Sequence, residues 1–193
     1  MMYAMAAMPH EAKLGAGKLT YDDLVSLPED GKRYEILDGD LSVTASPTTR
    51  HQRVSRNLQQ ILNVHVTEHG LGEVFYAPVD VILDRHTVVV PDLVFVSTAR
   101  AAIVELRGIM GAPDLLVEIL SPSTADRDRG AKAKLYARYG VDHYWVVDPD
   151  ARTLAAYACA RDGYAEVARH SGDEIFRSPL FPDLRIDLGK VWG

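Results

Sequence analysis

The chain has 193 residues, 47% hydrophobic and 25% charged, a balance that suits one soluble globular domain with a substantial core and gives no sign of disorder beyond the ends. A formal net charge of -6 argues against a protein that grips nucleic acid by a broad basic surface, but it leaves room for a carboxylate site that a divalent cation neutralises. The single Cys159 excludes an intrachain disulfide and a cysteine metal cluster, so a reducing cytoplasm is the expected compartment and a small core or half-buried residue the expected role.

Met1 to Gly17 lacks a basic leader before a long apolar core and reads as a flexible tail, 1–17, ahead of a single domain over 18–193. No later apolar run is long enough to cross a bilayer, so no membrane partner is expected. Thr20-Tyr21-Asp22-Asp23 has the form of a capping box opening a short helix that stops before Pro28. Arg33 to Thr44 alternates about Asp38-Gly39 and reads as a β-hairpin, with Glu35 on the face opposite Tyr34 and Ile36. From Ser46-Pro47-Thr48 a helix follows, with His51, Val54, Leu58, Ile61 or Leu62, and His65 along one stripe, closing near Gly70. Two strand runs, 74–83 and 87–96, flank a turn at Asp84-Arg85-His86, and Asp92 lies in the second, directly after Pro91. Helix is expected around 98–106, then a loop carrying Gly108 and Gly111.

The run from Pro113 to Pro122 is a short apolar strand with one carboxylate in it. Glu118 shares a face with Leu116 and Leu120, where an ionised carboxylate must gain a cation or strong donors. A salt bridge or a strand end that reaches solvent would supply them, and so would a metal ion. After a loop over 121–124, a helix runs to Gly140, whose position suits a C-cap. Helical periodicity sets Asp128, Lys132, Leu135 and Tyr139 on one arc and turns Lys134 away, so Lys132 leans toward the sheet. Its plainer role is an i,i+4 partner for Asp128, worth a few tenths of a kcal/mol. Val141 to Asp148 is another buried strand, 153–159 and 164–169 form a hairpin about Asp162-Gly163, and 178–188 is extended. One α/β domain with a mixed sheet is the economical reading.

Glu35, Asp92 and Glu118 each interrupt an apolar strand pattern. Two carboxylates and a backbone carbonyl, here that of Ile119, suffice for Mg²⁺ or Mn²⁺, which keeps several waters. Such a site suits hydrolysis of a phosphodiester. The chemistry also wants a lysine to orient water and stabilise charge, and Lys132 is the candidate. Clusters at Arg50, Arg53, Arg56 and at Arg127, Arg129, Lys132, Lys134, Arg138 either meet phosphates or are solvated helix faces. His51 or Gln52 touches a phosphate from the start of its helix, or His51 ties that helix to the hairpin. Asp114 is expected to cap or turn the chain.

Pro91-Asp92, the strand with Glu118, Ser121-Pro122-Ser123-Thr124, Lys132 with Leu135-Tyr136, Gly140, and Tyr144-Trp145-Val146-Val147-Asp148-Pro149 together resemble the Uma-two branch of the PD-(D/E)XK nuclease superfamily. The likeness extends to Tyr34-Glu35, Asp38-Gly39 and His51-Gln52. It implies a restriction-endonuclease-like fold, a central mixed β-sheet flanked by helices, with Asp92 and Glu118 as metal ligands and Glu35 as a further acidic member. Leu120 stands where the superfamily motif has its lysine. Members exist in which that lysine has migrated to a neighbouring helix, and Lys132 is the candidate for that role here. The expectation is a Mg²⁺- or Mn²⁺-dependent endonuclease acting on DNA in the cytoplasm, with Glu35, Asp92, Glu118 and Lys132 catalytic, His51, Gln52 and Arg127 on the substrate, and a homodimer as the assembly. The rival is a catalytically inactive nuclease-fold module that binds nucleic acid or protein, which Leu120 and the acidic charge favour. A hydrolase with a metal on His51, His65 and His69 is a third reading, disfavoured because these residues spread along the helix.

Overall fold

In the computed structural model, which describes residues 17–28, 30–122, 124–181 and 183–193, the chain opens on helix α1 (Tyr21–Val25). Thr20 caps it reciprocally: its hydroxyl accepts from the Asp23 N–H, and the Asp23 carboxylate accepts from the Thr20 N–H. The tail expected over 1–17 falls, Gly17 apart, outside the described residues, as does Ser123. Strands β1 (Arg33–Leu37) and β2 (Asp40–Thr44) make the expected hairpin. Asp38 and Gly39 turn it with φ of 54° and 93°, the two left-handed residues such a turn requires.

Helix α2 (Thr49–Glu68) starts at Thr48, whose hydroxyl accepts from the His51 N–H. Its buried stripe is His51, Val54, Leu58, Leu62 and Val66. Steps of four residues carry the stripe through Leu62 rather than Ile61 and on to Val66, so His65 lies beside the packed face and not on it. At roughly 1.5–3 kcal/mol per fully buried aliphatic side chain, this face and not intrinsic propensity holds the helix.

Both strand runs flanking Asp84-Arg85-His86 break in two. The first gives β3 (Gly72–Tyr76) and β4 (Val81–Asp84), parted at Ala77-Pro78. The second gives β5 (Thr87–Val89) and β6 (Leu93–Ser97), parted at Val90-Pro91. Proline has no N–H for a ladder, so each run leaves one sheet there and enters another. Beyond β6 the helix expected over 98–106 is a 3₁₀ segment, Thr98–Ile103, followed by β7 (Val104–Glu105) and β8 (Gly108–Met110).

The central strand β9 (Leu115–Ile119) is buried along its whole length. It leads into α3 (Ala125–Arg127), one π-helical stretch (Asp128–Lys132) and α4 (Ala133–Arg138), which Gly140 terminates at φ 77°. β10 (His143–Asp148), β11 (Thr153–Ala160) and β12 (Gly163–Ser171) run as an antiparallel meander. β13 (Ile175–Arg177) pairs with β14 (Arg185–Asp187), and α5 (Leu188–Trp192), which the extended reading of 178–188 did not anticipate, ends the chain. Cys159 is exposed, contrary to expectation. β10 begins at His143, paired with Ala158, so Cys159 lies just past the part of β11 that β10 covers.

Among the described residues, β1 to β12 form two six-stranded mixed sheets, β2-β1-β5-β4-β8-β7 and β12-β11-β10-β9-β6-β3, with β4–β8 and β9–β10 the parallel pairs. α2 and the C-terminal segment cover one face of the second sheet, over Leu93, Phe95, Leu115, Val117, Ile119, Trp145 and Val147. The other face, with Val94, Leu116, Leu120, Tyr144 and Val146, packs on Leu135 and Tyr136 of α4 and on Val81, Val89 and Ile109 of the first sheet. Glu118 therefore faces α4, between Leu116 and Leu120. The fold is mixed α/β, with sheets flanked by helices. Among the described residues, no helix is long and apolar enough to cross a membrane.

Candidate active site

The α4 face of β9 turns Glu118 toward Lys132, and both side chains are buried. Lys132 Nζ lies 2.8 Å from Glu118 Oε1 and 2.7 Å from Glu35 Oε1. Asp128 Oδ1 is farther, at 3.9 Å, so the plain i,i+4 pair is the weakest of the three contacts. Tyr136, one helical turn beyond Lys132, donates its hydroxyl to the same Glu118 oxygen at 2.6 Å. Glu35 also accepts from the Val90 N–H at 2.9 Å, which fixes β1 to the start of the Pro91-Asp92 segment.

Burial pushes the Glu118 carboxyl up to about 8; the Lys132 charge opposes this, but Asp128, Asp92 and Glu35 repel a further negative charge. Burial alone would lower Lys132, yet the charges of Glu118, Glu35 and Asp128 win and raise it above its ordinary value. The ammonium therefore stays charged among crowded carboxyls. Asp128 is raised as well, chiefly by burial.

Asp92 follows Pro91 at the entry to β6, and its N–H donates to the Val117 carbonyl at 3.1 Å. Its Oδ2 accepts from the Ile119 N–H at 2.8 Å and meets His51 Nε2 at 3.1 Å, while Oδ1 accepts from Arg33 Nη1 at 3.2 Å. Burial drives this carboxyl upward, but the bonds from His51 and Ile119 and the charge of Arg33 outweigh it and hold Asp92 below its ordinary value. Two carboxylates in one pocket are thus set apart, one ready to stay ionised and one reluctant.

Glu35, His51, Asp92, Glu118, Ile119, Arg127 and Lys132 all line one cavity of about 170 Å³. Residues distant in sequence at 35, 92 and 118 do converge. Gln52 does not join them: it is exposed and lines an adjoining groove that shares Arg33 and Asp92 with the cavity. Arg127 donates to the Ser42 and Thr44 hydroxyls and sits 3.6 Å from Glu35 and 3.7 Å from Asp128. His51 spends its Nε2 on Asp92 rather than on the hairpin. His65 and His69 contact each other with tilted rings, centroids 4.3 Å apart, and line no part of this cavity, which removes the three-histidine reading. Asp114 accepts from the Ser97 N–H and hydroxyl at 2.7 and 3.0 Å, a turn-holding role as expected.

Sequence reasoning gave neither Arg33 nor Tyr136 a role in the site, although Tyr136 belongs to the motif that carries the resemblance. Both had a signal: Arg33 precedes Glu35 by two residues and so shares its strand face, and Tyr136 follows Lys132 by four and so shares its helical face.

The donor set fits a hard divalent cation in kind, being all carboxylate with a carbonyl close by. Asp128 Oδ1 is buried with no hydrogen-bond partner among the described residues, and the Glu118 carboxyl, raised chiefly by burial, is raised further by Asp128, Asp92 and Glu35. The carboxylates nevertheless gather around Lys132: among the described residues, no three His, Cys, Asp or Glu side chains are spaced as a ready cation site.

Residues 21–189 match the family model Uma2, described as "Putative restriction endonuclease". The chain belongs to the Uma2 family. A solved structure from Anabaena variabilis, described as "a putative nuclease belonging to DUF820", matches this Uma2 chain with a TM-score of 0.74 at 20% identity. The match covers 90% of this chain and 97% of the other. At that identity the likeness establishes a shared fold, and the site must carry the functional argument. No curated protein matches the Uma2 chain.

Proposed function

We propose that the chain is a metal-dependent endonuclease that hydrolyses DNA phosphodiester bonds through a variant PD-(D/E)XK site with a migrated lysine. The observation that carries this reading is the buried Lys132 Nζ, 2.7 Å from Glu35 and 2.8 Å from Glu118, in one cavity with Asp92. It supplies from a helix the amine that Leu120 withholds from the strand. The family description supports the same reading.

Asp92, Glu118 and the Ile119 carbonyl would hold Mg²⁺ or Mn²⁺. Such an ion, when bound, neutralises charge on a phosphoryl oxygen and makes water a better nucleophile. The remaining work falls to the chain itself. Lys132, kept charged by its carboxylate neighbours, orients the attacking water and stabilises the negative charge that grows on the phosphoryl oxygens. Glu35, 2.7 Å from Nζ, helps Glu118 to hold Lys132 in place. His51 and Arg33 keep Asp92 ionised and aimed, so we assign His51 to Asp92 before any phosphate. Arg127 offers a cation at the cavity wall, and Gln52 meets the substrate strand outside it. A homodimer with one strand cut per protomer, in the cytoplasm, completes the proposal.

Asp92→Ala and Glu118→Ala each abolish Mg²⁺-dependent cleavage of plasmid DNA while leaving the circular dichroism of the fold intact; cleavage that survives both changes sinks the reading. A second reading has an observation of its own. Arg33 lies 3.2 Å from Asp92 and Arg127 3.6 Å from Glu35, so internal cations already balance much of the cluster. That balance suits a catalytically inactive nuclease-fold module that binds nucleic acid or protein. Titration with Mg²⁺ separates the two, because the inactive module takes up none.

A further inference from the structure

The catalytic cavity opens beside a groove of about 420 Å³, large enough for a nucleotide, and Arg33 and Asp92 belong to both walls. One side of the groove is a polar stripe of α2: Gln52, Ser55, Arg56 and Gln59, spaced i, i+3, i+4, i+7 next to the helix's buried stripe. The Arg56 guanidinium rests on the Asn57 amide oxygen at 3.0 and 3.2 Å and pairs with no carboxylate among the described residues. It is a cation without an acidic partner on an otherwise acidic protein.

The groove is also lined by Tyr76, a large aromatic side chain left 62% exposed. Its backbone is anything but loose. Tyr76 closes β3 in register with Leu93, and the next residue, Ala77, donates its N–H to the Asp92 carbonyl at 3.1 Å. The backbone that carries the ring is thus fixed to the sheet immediately beside a proposed metal ligand. An exposed aromatic face among amide, hydroxyl and guanidinium donors matches one ligand chemistry, a base with its sugar and phosphate. Bases inside a duplex already have both faces stacked, so a side chain at this position finds a free face only where the strand is unpaired.

We propose that this groove seats an unpaired stretch of the DNA substrate, with the Tyr76 ring stacked on a base next to the scissile phosphate and Arg56, Gln52 and Gln59 along its backbone. The preferred substrate is then single-stranded, tailed or flapped DNA rather than an uninterrupted duplex. The proposal rests on the nuclease reading above and adds strandedness to it.

The test is fluorescence anisotropy in EDTA at low salt, with labelled single-stranded, duplex and single-strand-tailed oligodeoxynucleotides, on wild type, Tyr76→Ala and Tyr76→Phe. Wild type binds the single-stranded and tailed forms more tightly than the duplex. Tyr76→Ala weakens single-strand binding about 5- to 150-fold, the range expected when one base–aromatic stack is lost. It shifts duplex binding by no more than about two-fold, and Tyr76→Phe, which keeps the ring, binds like wild type. Duplex binding as tight as single-strand binding, or a Tyr76→Ala variant indistinguishable from wild type, overturns the proposal. A cleavage arm separates this failure from that of the nuclease reading. Metal-dependent cleavage that disappears in Glu118→Gln, alongside an unchanged Tyr76→Ala series, strikes the groove alone. Absence of cleavage with any divalent ion strikes the nuclease reading, and the scissile phosphate of this proposal with it.

Discussion

Replacing Lys132 with methionine is the most revealing perturbation of the buried cluster. Methionine keeps most of the methylene packing and removes the charge that Glu35 and Glu118 share at 2.7 and 2.8 Å. Removing one partner of a buried ion pair costs about 3–5 kcal/mol, because the charge left behind has neither water nor a counter-ion. In a chain of this size each kcal/mol moves the melting temperature by about 2–4 °C, so Lys132→Met should melt roughly 6–20 °C below wild type. The loss has a pH signature. Glu118, raised from 4.5 to about 8, favours the protonated form in the fold, so its contribution is whole below pH 4.5 and is lost as the pH rises through about 8. Without Lys132 the bare carboxylates repel most when all are ionised, so the deficit is larger at pH 9 than at pH 6. Urea unfolding of wild type, Lys132→Met and the exposed Lys134→Met at both pH values measures it, with Lys134→Met within about 0.5 kcal/mol of wild type. A Lys132→Met protein within about 1 kcal/mol of wild type at pH 9, or one equally weakened at both pH values, would refute the electrostatic account.

Three further outcomes follow from the same geometry. Tyr136→Phe removes the hydroxyl that Glu118 accepts at 2.6 Å, so unfolding should show a loss of about 1.5–3 kcal/mol and the alkaline rise of the cleavage profile should move to higher pH. Because a metal competes with the proton on Glu118, the thermal shift given by Mg²⁺ should grow between pH 6 and pH 9; a shift of constant size across that range contradicts the placement of the ion on this residue. Leu58→Ala, on the fully buried face of α2 and outside the cavity, should cost about 2–5 kcal/mol in unfolding while single-turnover cleavage below the melting range stays within about two-fold of wild type.

Much of this arrangement was legible in the sequence because strand and helix periodicities are short-range rules. Alternation put Glu118 on the face of Leu116 and Leu120, and a 100° step turned Lys132 inward and Lys134 outward, both as observed. The Asp38-Gly39 turn and the Thr20 capping box needed no more than four residues of context. What escaped was long-range. Nothing local tells that the chain changes sheets at Ala77-Pro78 and Val90-Pro91, although proline marks both places. The His51–Asp92 and Arg33–Asp92 contacts span 41 and 59 residues, and only the assembled fold shows that Asp92 is held by them. Cys159 was misjudged because its exposure depends on where a neighbouring strand begins, and the residue's own pattern does not carry that.

Calorimetric titration of Mg²⁺ into wild type and Asp92→Asn at pH 8 bears most directly on the acid–lysine cavity as a catalytic centre. Saturable uptake of a divalent ion by wild type, lost in the asparagine variant while its fold persists, is the predicted result. No uptake by wild type, with the arginine-balanced cluster left as it stands, would contradict the account.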